Sequence, residues 1–188
     1  KDFFESLKIK ISPTAPIVVD EKDIYEAYYK LYNLKKEEIN KINFEGKKVL
    51  IVEDYEINAA LFQTILSKLG IETKLITNGE DAIKEAINND YDLILMDITL
   101  PKLNGIEAAK KIKEKKDIPI IAVTGNTTEE NIKEYLKYMD DFLPKPTKKS
   151  ILLEKLKKFL TPLSLSEKIA KKFELSDEET QELIEVFK

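Results

Sequence analysis

The sequence predicts an α/β domain built on a doubly wound parallel sheet over residues 46–161, with helical extensions at both ends, and three observations predict it. The runs KKVLIVE (47–53), DLILMD (92–97) and IPIIAVTG (118–125) are short, apolar and nearly unbroken, as in strands covered on both faces. Segments of helical period separate them, so strands and helices alternate. All five glycines lie between Gly46 and Gly125, each where a run or a helical pattern starts or stops.

In chain order, residues 1–45 read as a linker or the end of a preceding domain. They hold a proline-broken extended stretch, KIKISPTAPIVV, then a helical pattern, DEKDIYEAYYKLYNL. Its tyrosines Tyr25, Tyr28, Tyr29 and Tyr32 are read as covering the helix or packing it on a neighbour. After the first strand, Ile57, Leu61, Ile65 and Leu69 recur every four residues and mark the first helix of the sheet domain. IETKLIT (71–77) is a weaker strand, followed by a helix marked by Ile83 and Ile87. The run 92–97 is the third strand, and Ile106, Ala109 and Ile112 mark the next helix. Strand four is followed by a helix expected over Thr127 to Met139, then by a short strand, DDFL (140–143). A fifth helix turns Leu152, Leu156, Phe159 and Leu160 inward. Beyond Pro162, SLSEKIAKKF and SDEETQELIEVF are two acidic helical patterns, each opened by a serine suited to capping.

Composition narrows the chemistry. With 43% hydrophobic and 35% charged residues and a net charge of −4, the chain reads as a globular domain rather than a disordered one. It has no His, Cys or Trp and no Arg, so every cation is a lysine, and histidine triads, zinc sites built on histidine and disulfides are excluded. No basic excess is available for nucleic acid. No apolar segment reaches membrane-spanning length and no signal peptide opens the chain, so a cytoplasmic setting is expected. The first residue is Lys1 rather than Met, which is read as the mark of a piece of something longer.

In a sheet of this kind, ligands bind at the carboxyl ends of the strands. Strand one ends in Glu53 and Asp54, strand three in Asp97, strand four in Thr124, and strand five is followed by Lys145 and Pro146. Taken singly, each has an ordinary reading: an N-cap, a turn former, a β-branched filler, one lysine among many. Together they bring three carboxylates, a hydroxyl and an ammonium to one edge. Clustered carboxylates repel unless a cation sits between them, and an all-oxygen set with room for a phosphate describes Mg²⁺. Asp97, at the centre, is a candidate nucleophile, because aspartate forms acyl phosphates. Phosphoryl transfer needs little beyond alignment and neutralised oxygens, which a metal and a lysine supply.

VLIVEDYEIN, LILMDITLPKLNGIEAAKKI, PIIAVTGN and DDFLPKPT resemble, in order and spacing, the motifs of the response regulator receiver domain of two-component systems, over residues 46–161. That resemblance implies a (βα)5 flavodoxin-like sheet. It implies Asp97 as phosphoacceptor, Glu53 and Asp54 as the acidic pair holding Mg²⁺, and the Thr99 carbonyl as a further ligand. Thr124 would be the switch hydroxyl and Lys145 the phosphate-contacting ammonium, with the Lys145-Pro146 bond a candidate for cis. The aromatic switch position is Phe142, which has no hydroxyl to offer. Asn58 together with VTGN resembles receivers fused to sensor histidine kinases, so a hybrid kinase is the expected source. The resemblance implies self-phosphorylation and slow self-dephosphorylation rather than turnover.

The expected partner is a histidine kinase or a histidine phosphotransfer domain, since the chain has no histidine of its own. Ala59, Ala60 and Phe62, near the start of the first helix, are candidate docking residues for it. The tail 162–188 is read as the start of a phosphotransfer domain or as helices packed on the sheet domain. IAKKFELSDEETQELI scans as a helix-turn-helix, but its second helix would carry Asp177, Glu178, Glu179, Glu182 and Glu185 against phosphates. The rivals to a phosphoryl acceptor are a phosphate-independent scaffold and a haloacid dehalogenase-type phosphatase. Mutually repelling carboxylates count against the first, and Thr99, where a second acid would be wanted, against the second.

Overall fold

A computed structural model of the chain describes residues 42–164 together with 167, 168, 171, 176, 178 and 181. Five strands and five helices alternate between Lys48 and Phe159. They are β1 (Lys48–Val52), α1 (Glu56–Ser67), β2 (Glu72–Ile76), α2 (Gly79–Asn88), β3 (Leu93–Asp97), α3 (Gly105–Lys113), β4 (Ile120–Thr124), α4 (Glu129–Tyr135), β5 (Asp141–Pro144) and α5 (Lys149–Phe159). The sheet order is β2-β1-β3-β4-β5 and all its pairs are parallel.

The apolar runs lie where an unbroken run must lie. β3 and β4 are buried at every position, and β1 is buried from Val49 to Val52. Each of these strands sends alternate side chains to opposite faces. Val49, Ile51, Leu93, Leu95, Ile121 and Val123 pack with Phe62 and Leu66 of α1 and Leu152 and Leu156 of α5. Leu50, Val52, Ile94, Met96, Ile120 and Ala122 pack on the other side with Ala82, Ala86, Ala108, Ala109, Ile112 and Tyr135 from α2, α3 and α4. β2, at one margin, exposes Glu72 and Lys74 and reads as polar alternation because only part of it is covered.

The structure refines the reading of two helices. The four-residue spacing marks α1 correctly but follows its buried face only in part: Ile65 and Leu69 are buried with Ala59, Phe62 and Leu66, whereas Ile57 is 67% and Leu61 43% exposed. Steps of four drift around a helix of 3.6 residues per turn, whereas steps of three and four alternate to stay on one side. The helix expected over Thr127 to Met139 is shorter at both ends. The Thr128 side chain accepts from Asn131 N and caps the first turn, while the Tyr138 and Met139 amides both turn back to the Tyr135 carbonyl. The compact unit that holds the sheet spans Ile42–Leu163 and contains the expected 46–161; in it Phe44 is fully buried and Leu163 N donates to Asn43 O.

The extended stretch, the tyrosine-bearing helix and most of the two acidic helices lie outside the described residues. The opening of the first acidic segment is described: Ser164 N donates to Glu167 Oε2 at 2.7 Å and Glu167 N to Ser164 Oγ at 3.3 Å, a reciprocal capping box. Among the described residues no helix is long and apolar enough to cross a membrane.

Candidate functional site

Parallel pairing carries the carboxyl ends of all strands to one rim. Val52 pairs with Met96, Asp97 with Val123 and Thr124 with Pro144, so the residues at and just past these ends become neighbours. α3 begins close behind Asp97. Asn104 caps it by accepting from Glu107 N at 2.9 Å, and Gly105 N donates to the Ile98 carbonyl at 3.0 Å. The loop after β3 is thereby folded tightly over the strand's end.

The ammonium of Lys145 joins two acids. Its Nζ lies 2.7 Å from Asp97 Oδ2 and 2.9 Å from Glu53 Oε2, and donates to Glu53 Oε1 at 3.2 Å. The Lys145-Pro146 bond that follows is cis, as expected from the resemblance. Asp97 Oδ1 accepts from Thr99 N at 3.0 Å, so both of its oxygens are held. Glu53 Oε1 also takes Asn58 Nδ2 at 3.2 Å and Tyr55 N at 3.3 Å. Its other oxygen, Oε2, is buried and has the cation nearby but no aligned hydrogen bond. Asp54 is exposed beside them, and one oxygen from each of Glu53, Asp54 and Asp97 lies within 4.8 Å of the others.

Three carboxylates around one ammonium leave negative charge unbalanced. Burial pushes the Glu53 carboxyl above the usual carboxylate range, Asp97 adds to the rise, and the bonds from Lys145 and Asn58 only partly oppose it. For Lys145 burial acts downward, but the bonds to Asp97 and Glu53 prevail and hold the ammonium above its ordinary value. An all-oxygen set with a buried lone pair short of a partner fits a small hard dication such as Mg²⁺.

Thr124 stands at the same rim but faces away from the acids in its hydrogen bonding. Its Oγ1 accepts from Asn126 N at 3.1 Å and lies 3.3 Å from both the Asn126 carbonyl oxygen and the Tyr135 hydroxyl. Phe142 is half-buried against the α2, α3 and α4 side of the sheet, with Lys155 Nζ 5.8 Å from its ring centroid. Thr99 is exposed, its amide committed to Asp97. The structure thus brings Glu53, Asp54, Asp97, Thr99 and Lys145 together.

The docking expectation needs correction. Ala59 and Phe62 are each only 2% exposed, Phe62 packing among the sheet residues Val49, Ile51, Leu93 and Leu95, so neither is open to a partner. Ala60 is exposed, and Tyr55, Ile57 and Leu61 are the large apolar side chains that α1 and its N-cap show to solvent. One residue at the site escaped the sequence reading altogether, Tyr135. The spacing of Ile132, Tyr135 and Met139 is a core-facing one and was the available signal.

Known proteins carry the same pattern. The chain is 41% identical over 107 residues to the autoinducer 1 sensor kinase/phosphatase LuxN of Vibrio campbellii, covering 56% of this chain and 13% of that protein. The chain therefore spans about an eighth of that relative's length. Among solved structures, it resembles the receiver domain of the sensor histidine kinase PA1611 from Pseudomonas aeruginosa, which has a magnesium ion coordinated in its active site cleft. The TM-score is 0.57 at 34% identity, covering 61% of this chain and 97% of that one. It also resembles a chain in the co-crystal structure of the Saccharomyces cerevisiae phosphotransfer protein Ypd1 and the receiver domain of its downstream response regulator Ssk1. There the TM-score is 0.58 at 32% identity, covering 62% and 90%. A family model described as the response regulator receiver domain matches residues 49–157, more than half of the sequence, and with the sheet order and rim already described this chain belongs to that family.

Proposed function

We propose that this receiver accepts a phosphoryl group on Asp97 from a phosphohistidine of a partner, as one step of a two-component relay. The observation that carries the reading is the contact of one ammonium, Lys145 Nζ, with both Asp97 at 2.7 Å and Glu53 at 2.9 Å. A structural lysine would gain little by joining two buried acids at an open rim, whereas a phosphoryl group needs that cation.

A carboxylate oxygen of Asp97 forms the new bond to phosphorus while the phosphorus–nitrogen bond breaks, its electron pair staying with the imidazole. Lys145, already bonded to Asp97, pairs with the incoming phosphoryl oxygens. The Thr99 amide keeps the Asp97 carboxyl plane fixed, and Asn58 does the same for Glu53. Glu53, Asp54, Asp97 and the Thr99 carbonyl would hold Mg²⁺, which would further neutralise the phosphoryl oxygens. Thr124 turns its hydroxyl to the phosphorylated side chain, and the surface around Phe142 and α5 reads the change.

The donor docks on the exposed face of α1, where Ile57 and Leu61 stand one turn apart and Tyr55 precedes them at the rim. A histidine kinase or phosphotransfer protein is the fitting partner, since the sequence itself supplies no histidine. A hybrid sensor kinase with its receiver on the cytoplasmic side is the fitting parent. The test is incubation with acetyl phosphate and Mg²⁺, followed by intact mass. One hydroxylamine-labile phosphoryl group is expected, lost in Asp97→Asn. No adduct, or an adduct that survives that substitution, would end the proposal.

A further inference from the structure

Three oxygens form a closed triangle behind Thr124. The Thr124 hydroxyl, the Tyr135 hydroxyl and the Asn126 carbonyl oxygen are each 3.3 Å from the other two. Two hydroxyl protons are shared within the triangle, because a carbonyl can only accept, and the Asn126 amide donates to Thr124 Oγ1 from outside it. Tyr135 is the last residue of α4 and 3% exposed, part of the same buried cluster as Met96, Ala122 and Met139. Its hydroxyl is therefore delivered to Thr124 by a rigid element, not by a wandering surface side chain. Phe142, the aromatic residue nearer to Lys145 in the chain, has no hydroxyl, so Tyr135 is the aromatic residue whose hydroxyl meets Thr124 among the described residues.

We infer that Tyr135 is a positioning residue for the phosphoryl chemistry: its hydroxyl retains that of Thr124 on the α4 side and sets how readily Thr124 turns to a phosphoryl oxygen on Asp97. The inference rests on the proposed phosphoryl acceptance. In the unphosphorylated chain the Thr124 proton has two acceptors in the triangle. If it turns to a phosphoryl oxygen, Tyr135 still donates to the Asn126 carbonyl, so no buried donor is stranded. What is given up is the contact between the two hydroxyls. An interaction present in one state and lost in the other biases the equilibrium toward the first. Tyr135 thus opposes the phosphorylated arrangement by about one neutral hydrogen bond.

The experiment measures the affinity of the full chain for beryllofluoride in the presence of Mg²⁺ by calorimetry. Wild type, Tyr135→Phe, Thr124→Val and the double variant are compared. Tyr135→Phe should bind roughly two- to tenfold more tightly than wild type, the range a single net hydrogen bond spans. In the Thr124→Val background the same substitution should change nothing. Unchanged or weaker binding by Tyr135→Phe overturns the inference, and so does an equal gain with Val at position 124, which would mean that Tyr135 acts through the core alone. Absence of beryllofluoride binding by wild type instead brings down phosphoryl acceptance, and the inference with it. A second readout needs no variant at position 135: with ¹³Cζ-labelled tyrosine, beryllofluoride should shift the Tyr135 resonance in wild type and not in Thr124→Val. A resonance that stays put in wild type, or moves equally in both, overturns the positioning role.

Discussion

Gly105 packs directly on the backbone carbonyl of Asp97: a Cβ at position 105 would overlap that oxygen and crowd the Ile98 Cα. The neighbours are backbone atoms at the end of the central strand, so neither can swing aside as a flexible side chain would. Gly105→Ala should therefore cost about 2 kcal/mol by forced displacement. The same shift moves Asp97, so the rate of labelling by acetyl phosphate should fall with it. Urea unfolding and the initial labelling rate check the two effects together.

Removal of the cation tests the site from the other side. Lys145→Met keeps the apolar stem but leaves Asp97 and Glu53 buried without their shared partner. A fully buried pair broken this way costs more, but Lys145 is about a quarter exposed, so a loss of about 1–3 kcal/mol at neutral pH is expected. Added Mg²⁺ should recover part of it, as seen in urea midpoints with and without the metal.

Glu53→Gln should act oppositely on stability and on metal response. Its carboxyl is held above its usual range by burial, so ionisation of this group weighs against the fold when no metal is present. In EDTA the variant should melt at a higher temperature than wild type. Mg²⁺ should raise the wild-type midpoint and leave that of the variant nearly unmoved. Thermal scans with each addition distinguish these cases.

Asp141 sets an acid limit. Burial acts to raise its pKa, but bonds from Lys155, Lys158 and the Phe142 amide prevail and hold it below the ordinary carboxylate range. A depressed folded value stabilises fully above the unfolded value, about 3.9, and that contribution is withdrawn as pH falls through the folded one. Asp141→Asn should cost about 1 kcal/mol at pH 7, since one of the two lysines is largely exposed. The difference from wild type should shrink below about pH 4 in urea titrations.

On α1, burial separates two roles. Phe62→Ala should cost about 3–5 kcal/mol, the usual penalty for a cavity left by a core aromatic. Ile57→Lys should leave stability within about 0.5 kcal/mol. It should nevertheless slow transfer from a histidine phosphotransfer protein while leaving labelling by acetyl phosphate unchanged. Equal rates from both donors would move the docking face elsewhere.

The strands were legible because β1, β3 and β4 are covered on both faces, which demands unbroken apolar runs whatever the details of packing. The rim was legible for a related reason: parallel strands put their last residues at one edge, so Glu53 and Asp97 come within reach of Lys145, with Thr124 at the same edge. The inward face of α1 was legible only in part, because a spacing of four walks around the helix: it reaches the buried Ile65 and Leu69 but starts from the exposed Ile57 and Leu61, and the buried Ala59 and Phe62 sit between the isoleucines. The pairing of Tyr135 with Thr124 could not be read from spacing, since it depends on where a short helix ends and how its last turn closes.

Both margins of the sheet are poor templates for another strand. β5 spans four residues and ends in Pro144, which has no amide hydrogen to offer, and β2 turns Glu72 and Lys74 to solvent. Among the described residues the sheet holds five strands, and neither margin favours a sixth. Crowded copies of the domain are left without a ribbon on which to zip into fibrils.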